Sequence, residues 1–361
     1  MSSTQDNYEP DTLTIPSPQD KLITQQKYIN FHKSRLKGAC LSMKKLLVAI
    51  PELNDADEAR IAQAGEGCEI RFRTLAEVSA EDVAWANIAM GLIPASLFHE
   101  NEELEFLQLS SAGADAHVRP GVLREGTLLT CCTGAYSQAV AEHAFAQTLM
   151  LQKNLHLYRD AQSRKQWTDA GSVTSMSDST VLIMGLGDIG RYYATLAKAL
   201  GAHVIGIKRR ASDKPEFVDE LYCTADFDKV VGRADVVAAF LPGTKETYHF
   251  FTEERFAMMK DSAIFINCGR GTAVSMDALY NALSGHLIRA AGVDVFEKEP
   301  LPESSPLWAL DNLAVTPHAS GFFHLPVTKE RVLDICIHNL KAYLTGGKLM
   351  NIVDFSTGYK K

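Results

Sequence analysis

One stretch limits the fold more than any other. Val181–Met184 is an unbroken apolar run, Gly185-Leu-Gly187-Asp-Ile-Gly190 follows at once, and the residues to Leu200 carry helical spacing. A strand that turns on G-x-G-x-x-G into a helix is the signature of a βαβ unit that grips a dinucleotide. A glycine-rich hexamer alone serves equally as a tight turn. The strand before it and the helix after it favour the binding reading. The turn comprises Gly185, Gly187, Asp188, Ile189 and Gly190. Gly185 permits the bend, Gly187 lets backbone approach a pyrophosphate, and Gly190 lets helix and strand pack closely. The pyrophosphate then lies at the helix N-terminus, where unpaired N–H groups and the dipole favour an anion.

About twenty residues after such a turn, an acid usually holds the adenosine ribose. Lys208, Arg209 and Arg210 stand there instead. An acid repels a 2′-phosphate, whereas arginine offers it a planar fork. The alternative is that three bases end an exposed strand and meet only water. The missing acid and the bases in its place point the same way. NADP(H) is therefore the expected cofactor, with NAD(H) as the alternative.

Around this unit the chain alternates strand and helix. Leu46–Ile50, Cys68–Phe72, Asn87–Leu92, Leu104–Leu109 and Leu128–Cys132 read as strands. Asp55–Ala64 reads as a helix capped by Asn54 or Asp55. Ser137–Gln162 reads as one long helix with a buried face that includes Val140, Phe145, Leu149, Leu155 and Tyr158. Later strands are expected at Val181–Met184, Val204–Ile207, Val236–Phe240, Ala263–Ile266, Ala290–Val295 and Leu313–Thr316. Helices are expected at Gly190–Leu200, near Thr252–Met259, at Met276–Gly285 and at Val327–Leu344, before a short tail. Such alternation implies parallel strands joined by crossover helices, an α/β fold.

Composition narrows the function. The 361 residues suffice for two domains, and the net charge of −8 argues against nucleic acid or an anionic membrane as partner. Seven cysteines without a C-x-x-C pair fit a reducing cytoplasm and suggest no metal site. No apolar run approaches the length of a membrane span. Residues 1–42 are polar, carry Pro10, Pro16 and Pro18, and read as a disordered or weakly ordered extension. They lack the apolar segment of a signal peptide, and Met43 is a plausible alternative start.

Three strand ends carry ionisable residues. "INCGRG" places Arg270 beside glycines, "GVDVFEKEP" supplies Asp294 and Glu299, and "VTPHASG" supplies His318. In a doubly wound sheet all of these lie on the carboxyl rim with the glycine turn. Each has a plainer reading. Arg270 could be a surface or salt-bridge residue, Glu299 a loop acid, and His318 a core histidine. Together beside a nicotinamide they suit reduction of a 2-oxo acid. Arginine holds the carboxylate and polarises the carbonyl, histidine gives a proton to the developing alkoxide, and glutamate orients the histidine and raises its pKa.

In "GLGDIGR", "LPGTKET", "INCGRG", "GVDVFEKEPLP" and "VTPHASG", in that order and spacing, the chain from about Met43 to Tyr359 resembles the D-isomer-specific 2-hydroxyacid dehydrogenases. The likeness is to their glyoxylate/hydroxypyruvate reductase-like, NADP-type members. The resemblance implies Arg270, Glu299 and His318 as a catalytic triad and gives Asp294 to the nicotinamide carboxamide. It sets Leu241, Pro242, Cys268 and Gly269 beside the cofactor. It matches "SSAGADAHV" to a loop whose N–H groups at Ala112, Gly113 and Ala114 grip the substrate carboxylate. It also implies a homodimer, paired through the segment "GAYSQAVAEHA".

The expectation is thus two Rossmann/flavodoxin-like doubly wound domains, with the cofactor domain inserted into a split substrate domain. Residues 43–140 and 326–361 make the substrate domain, and residues 141–325 make the dinucleotide-binding domain. The expected reaction is NAD(P)H-dependent reduction of a small 2-oxo acid to the D-2-hydroxy acid. Alternatives are a dedicated glyoxylate/hydroxypyruvate reductase or a corepressor-like, nucleotide-sensing binding protein. Phe322 and Phe323 could line a pocket for apolar side chains or simply pack. With no regulatory domain after the last helix, a long phosphoglycerate dehydrogenase is not expected. Glu299 stands where a formate dehydrogenase would carry Gln.

Overall fold

Consecutive aliphatic residues mark strands covered on both faces, and the chain has two sets of them. The computed structural model describes residues 43–99, 101–210 and 212–360. The expectation for residues 1–42 lies outside them. β1 (Lys44–Ala49), β2 (Cys68–Phe72), β3 (Ile88–Gly91), β4 (Phe106–Leu109) and β5 (Leu128–Thr130) form a parallel sheet in the order β2-β1-β3-β4-β5. A second parallel sheet is built from β6 (Thr180–Met184), β7 (His203–Lys208), β8 (Glu220–Cys223), β9 (Val236–Ala239), β10 (Ile264–Asn267), β11 (Ala290–Val293) and β12 (Leu313–Val315). Its order is β12-β11-β10-β9-β6-β7-β8. From β6 the chain passes to β7 on one side and later reaches β9 on the other. The carboxyl ends of β6 and β9 therefore open the crevice where such sheets bind ligands.

Helices cover both faces of each sheet. α1 (Asp55–Ala64) and α2 (Ala80–Trp85) belong to the first, and α3 (Ser137–Gln152) and α4 (Leu155–Ser163) lead into the second. α5 (Asp188–Ala199), α6 (Phe227–Val230), α7 (Glu253–Ala257) and α8 (Met276–Ser284) follow, and α9 (Pro326–Thr345) closes the series. Asn54 is the cap of α1: its side chain accepts the Asp57 N–H at 3.0 Å, and the Asp57 carboxylate accepts the Asn54 N–H at 3.2 Å. α9 returns to the first sheet. Val332, Leu333, Cys336 and Leu340 pack against Leu46, Val48, Met90 and Phe106. Lys329 meets Asp57 at 2.7 Å, and Arg60 reaches Glu330 at 3.0 Å and Asp334 at 2.9 Å. The second α/β domain is thus inserted into the first.

Several local expectations need correction. Ser137–Gln162 is two helices, not one. Asn154 takes a left-handed backbone (φ 56°), held by its Nδ2 donating to the carbonyls of Ala170 and Ser172 and its Oδ1 accepting from Arg289. Leu155 and Tyr158, placed on a buried face by the single-helix reading, are exposed beyond the break. α5 starts at Asp188 rather than Gly190, so Asp188 and Ile189 stand in its first turn. β8 was not foreseen. The final tail contains a small antiparallel pair, β13 (Val353–Asp354) with β14 (Tyr359–Lys360). No helix among the described residues is long and apolar enough to cross a membrane.

Candidate active site

The glycine turn has the space a dinucleotide needs. Gly185 has φ 100°, and a Cβ there would lie 2.7 Å from the Phe240 carbonyl oxygen of neighbouring β9's exit. A Cβ on Gly190 would collide with the Gly185 carbonyl, so helix and strand pack without a side chain between them. At Gly187 no described atom lies within 4 Å of a Cβ position. The first turn of α5 carries no side-chain cap, leaving N–H groups toward that open space. These features fit a pyrophosphate. Lys208 ends β7 and donates to Ser212 Oγ at 3.0 Å, while Arg209 and Arg210 are exposed just beyond it. Leu241 and Pro242 follow β9, and buried Cys268 and Gly269 follow β10.

The ionisable residues leave three adjacent strands. Arg270 follows β10, Asp294 and Glu299 follow β11, and His318 follows β12. Glu299 Oε2 lies 2.8 Å from His318 Nδ1, and its Oε1 accepts the Phe296 N–H at 2.9 Å. The Glu299 hydrogen bond raises the His318 pKa above the ordinary imidazole value, and burial opposes it only in part. Burial alone would push the Glu299 carboxyl up, but bonds from His318 and Phe296 N–H hold it below the usual value. With Nδ1 committed to the carboxylate, Nε2 is the nitrogen left to exchange a proton. His318 itself has a left-handed backbone (φ 52°), an uncommon conformation for a non-glycine residue. Its N–H donates to the Asp294 carbonyl at 2.8 Å.

Asp294 holds that conformation. It is 1% exposed. Its Oδ1 accepts from Thr316 Oγ1 at 2.6 Å and from the Ala319 N–H at 2.9 Å. Its Oδ2 accepts from the Ser320 N–H and hydroxyl. Both oxygens therefore hold the loop that carries His318.

Arg270 joins the two domains. Its Nε donates to Asp115 Oδ2 at 3.1 Å and its Nη1 to the Gly269 carbonyl at 3.0 Å. Its Nη2 lies so close to Gly113 that a Cβ there would overlap it. Gly113 is part of the loop Ala112–Ala114 that follows β4, fixed by Ser111 Oγ donating to the Gly113 carbonyl at 2.7 Å. The Arg270 charge is felt at His318, where it opposes protonation. The geometry thus brings Arg270, the loop at Gly113 and the Glu299–His318 pair to one rim.

A curated relative decides the family. Glyoxylate/hydroxypyruvate reductase B of Escherichia fergusonii is 31% identical over 329 residues, covering 86% of this chain and 98% of its own. A family model described as "D-isomer specific 2-hydroxyacid dehydrogenase, NAD binding domain" matches residues 145–320. The chain belongs to the D-isomer-specific 2-hydroxyacid dehydrogenases. Among solved structures, a dehydrogenase of this family from Aeromonas salmonicida is 30% identical with a TM-score of 0.75, covering 87% of this chain and 100% of its own. An NADPH-dependent glyoxylate/hydroxypyruvate reductase from Sinorhizobium meliloti, solved with NADP and sulfate, is 27% identical with a TM-score of 0.74 and covers 88% of this chain and all of its own. This dehydrogenase is an oxidoreductase with a nicotinamide dinucleotide-binding domain.

Sequence reasoning passed over two residues of the dehydrogenase's site. Asp115 directly follows the loop at Gly113, yet its acid looked like any loop acid. Tyr359 reaches the same place from the tail, where no periodicity marks a buried residue. A carboxylate directly after the loop that must face Arg270 was the available signal for the first. The sequence held none for the second.

Proposed function

We propose that this protein reduces a small 2-oxo acid to the D-2-hydroxy acid, using NADPH in preference to NADH. The single observation that carries the reading is the Glu299–His318 pair at 2.8 Å on the same rim as Arg270 and Gly113. When bound, a reduced nicotinamide supplies the hydride. Arg270 grips the substrate carboxylate with its Nη edge, helped by N–H groups of Ala112–Ala114, and polarises the 2-oxo carbonyl. His318, kept protonated by Glu299, gives its Nε2 proton to the oxygen as the alkoxide forms. In the reverse direction neutral His318 takes that proton back. Asp294 keeps the loop rigid through these changes.

The bases at 208–210 support NADPH, as does the NADP bound by the Sinorhizobium relative. Residues 43–140 with 326–361 would form the substrate side and residues 141–325 the cofactor side. The names of the relatives favour glyoxylate and hydroxypyruvate among the possible substrates. Phe323 stacks on Tyr136 at 6.5 Å between ring centres and is a packing residue, whereas Phe322 is exposed. A second copy would pair through the segment "GAYSQAVAEHA" and the exposed apolar side chains that follow α3. The six described cysteines are free thiols, which suits a reducing cytoplasm. The test is NADPH oxidation with glyoxylate, hydroxypyruvate, pyruvate and longer 2-oxo acids. The expected result is turnover fastest with glyoxylate and hydroxypyruvate. Preference for a bulky apolar side chain would overturn the substrate assignment.

A further inference from the structure

After α9 the chain returns to the β5 edge of the first sheet. Ile352 bridges Thr130, and Val353 is buried in that sheet's core. A turn follows in which the Asp354 carbonyl accepts the N–H groups of Thr357 and Gly358, at 3.1 and 2.8 Å. It delivers Tyr359 into the cleft between the domains. The Tyr359 hydroxyl donates to Asp115 Oδ1 at 2.9 Å and accepts the Gly243 N–H at 2.6 Å. The other Asp115 oxygen holds Arg270 Nε. Lys360 adds a tether to Asp188 at 3.0 Å, between side chains too exposed to contribute much.

We infer that Tyr359 is a positioning residue for the reaction, acting through Asp115 to fix the Arg270 guanidinium. The inference rests on Arg270 gripping the substrate carboxylate. Asp115 takes Nε and the Gly269 carbonyl takes Nη1, so the fork is fixed in rotation with Nη2 on the Gly113 loop. Asp115 is itself partly exposed, and a free carboxylate there would have other rotamers and water to choose from. Tyr359 removes that choice. Burial pushes its hydroxyl pKa up to about 12, so it stays a proton donor throughout the working range. Its own oxygen is fixed by a backbone N–H of the cofactor domain, whereas Asp115 belongs to the substrate domain. The tail therefore registers the two halves of the carboxylate site against each other.

The test is Tyr359→Phe, which removes one oxygen and keeps the ring. KM for the 2-oxo acid should rise about tenfold, as for loss of one hydrogen bond to a charged group. kcat should fall less, and NADPH affinity, read by quenching of protein fluorescence, should stay unchanged. In a double-mutant cycle with Arg270→Lys, the double variant should have a KM no higher than Arg270→Lys alone, because both changes damage one grip. Additive effects, an unchanged KM, or a loss of NADPH affinity matching the rise in KM would each overturn the positioning role. If Arg270→Lys raises KM and Tyr359→Phe does not, this inference fails and the proposed function stands. If Arg270→Lys also leaves KM unchanged, the carboxylate grip itself is wrong and both fall. Should the Phe variant not fold, Asp115→Asn, which removes the charge that holds Arg270 Nε, carries the same expectations.

Discussion

Glu299 and His318 face each other across 2.8 Å, and the pair makes a prediction about pH. His318 has a raised pKa because the Glu299 carboxylate stabilises the imidazolium. Reduction needs the protonated ring, so its rate holds up to the folded pKa and falls above it. Oxidation needs the neutral ring and rises over the same interval. Glu299→Gln keeps the size and a hydrogen bond but removes the charge, which lowers the His318 pKa. Both limbs should therefore move to lower pH together, as measured by kcat/KM profiles in each direction. Profiles that stay in place, in a folded variant that still binds NADPH, would return Glu299 to an ordinary loop acid. Arg270, Glu299 and His318 were legible as candidates because three residue types suited to one reaction stood at three strand ends. Asp294 was legible as a strand-end acid, but its bonds within the His318 loop were not. Its carboxylate is consumed by Thr316, Ala319 and Ser320, a consequence of how the His318 loop folds back. Such long-range closure leaves no mark on local sequence.

At the scale of elements, the end of β7 is where we propose the cofactor is chosen. Lys208 ends the strand next to β6 and Arg209 and Arg210 follow it, within the same βαβ unit as the glycine turn. A charged hydrogen bond is worth roughly 1.5–3 kcal/mol. Arg209→Glu should thus cut kcat/KM for NADPH about 10- to 100-fold and leave that for NADH much less affected. A wild-type enzyme that prefers NADH would contradict this use of the bases. The strands themselves were readable because buried parallel strands are nearly continuous apolar runs. The break between α3 and α4 was not. Its apolar spacing runs on smoothly, and only tertiary partners on Ala170, Ser172 and Arg289 make a left-handed Asn154 favourable. β8 was missed for a related reason. Its four residues, ELYC, carry little apolar signal and are only partly buried at the sheet edge.

At the scale of the molecule, α4 and the loop after it leave Leu155, Tyr158, Trp167 and Val173 exposed. Exposed apolar side chains along this stretch suit an interface, and a second copy of this chain is the occupant we propose. Buried tryptophans are frequent hot spots worth about 2 kcal/mol or more. Trp167→Ser should weaken dimerisation by about 30-fold or more, seen by sedimentation at low concentration. A wild-type protein that sediments as a monomer at micromolar concentration would contradict the assignment. In the function proposed above, the two domains hold a 2-oxo acid between them and His318 supplies the proton for its reduction. The most direct test measures NADPH consumed and D-2-hydroxy acid formed from glyoxylate or hydroxypyruvate, in wild type and in His318→Ala. For a prochiral 2-oxo acid such as hydroxypyruvate, the product should be the D isomer, in one-to-one yield with NADPH. His318→Ala should lose about 10²- to 10⁴-fold in kcat while still binding NADPH. A wild-type protein that binds NADPH but turns over no 2-oxo acid would contradict the account and mark the chain as a nucleotide-sensing binding protein.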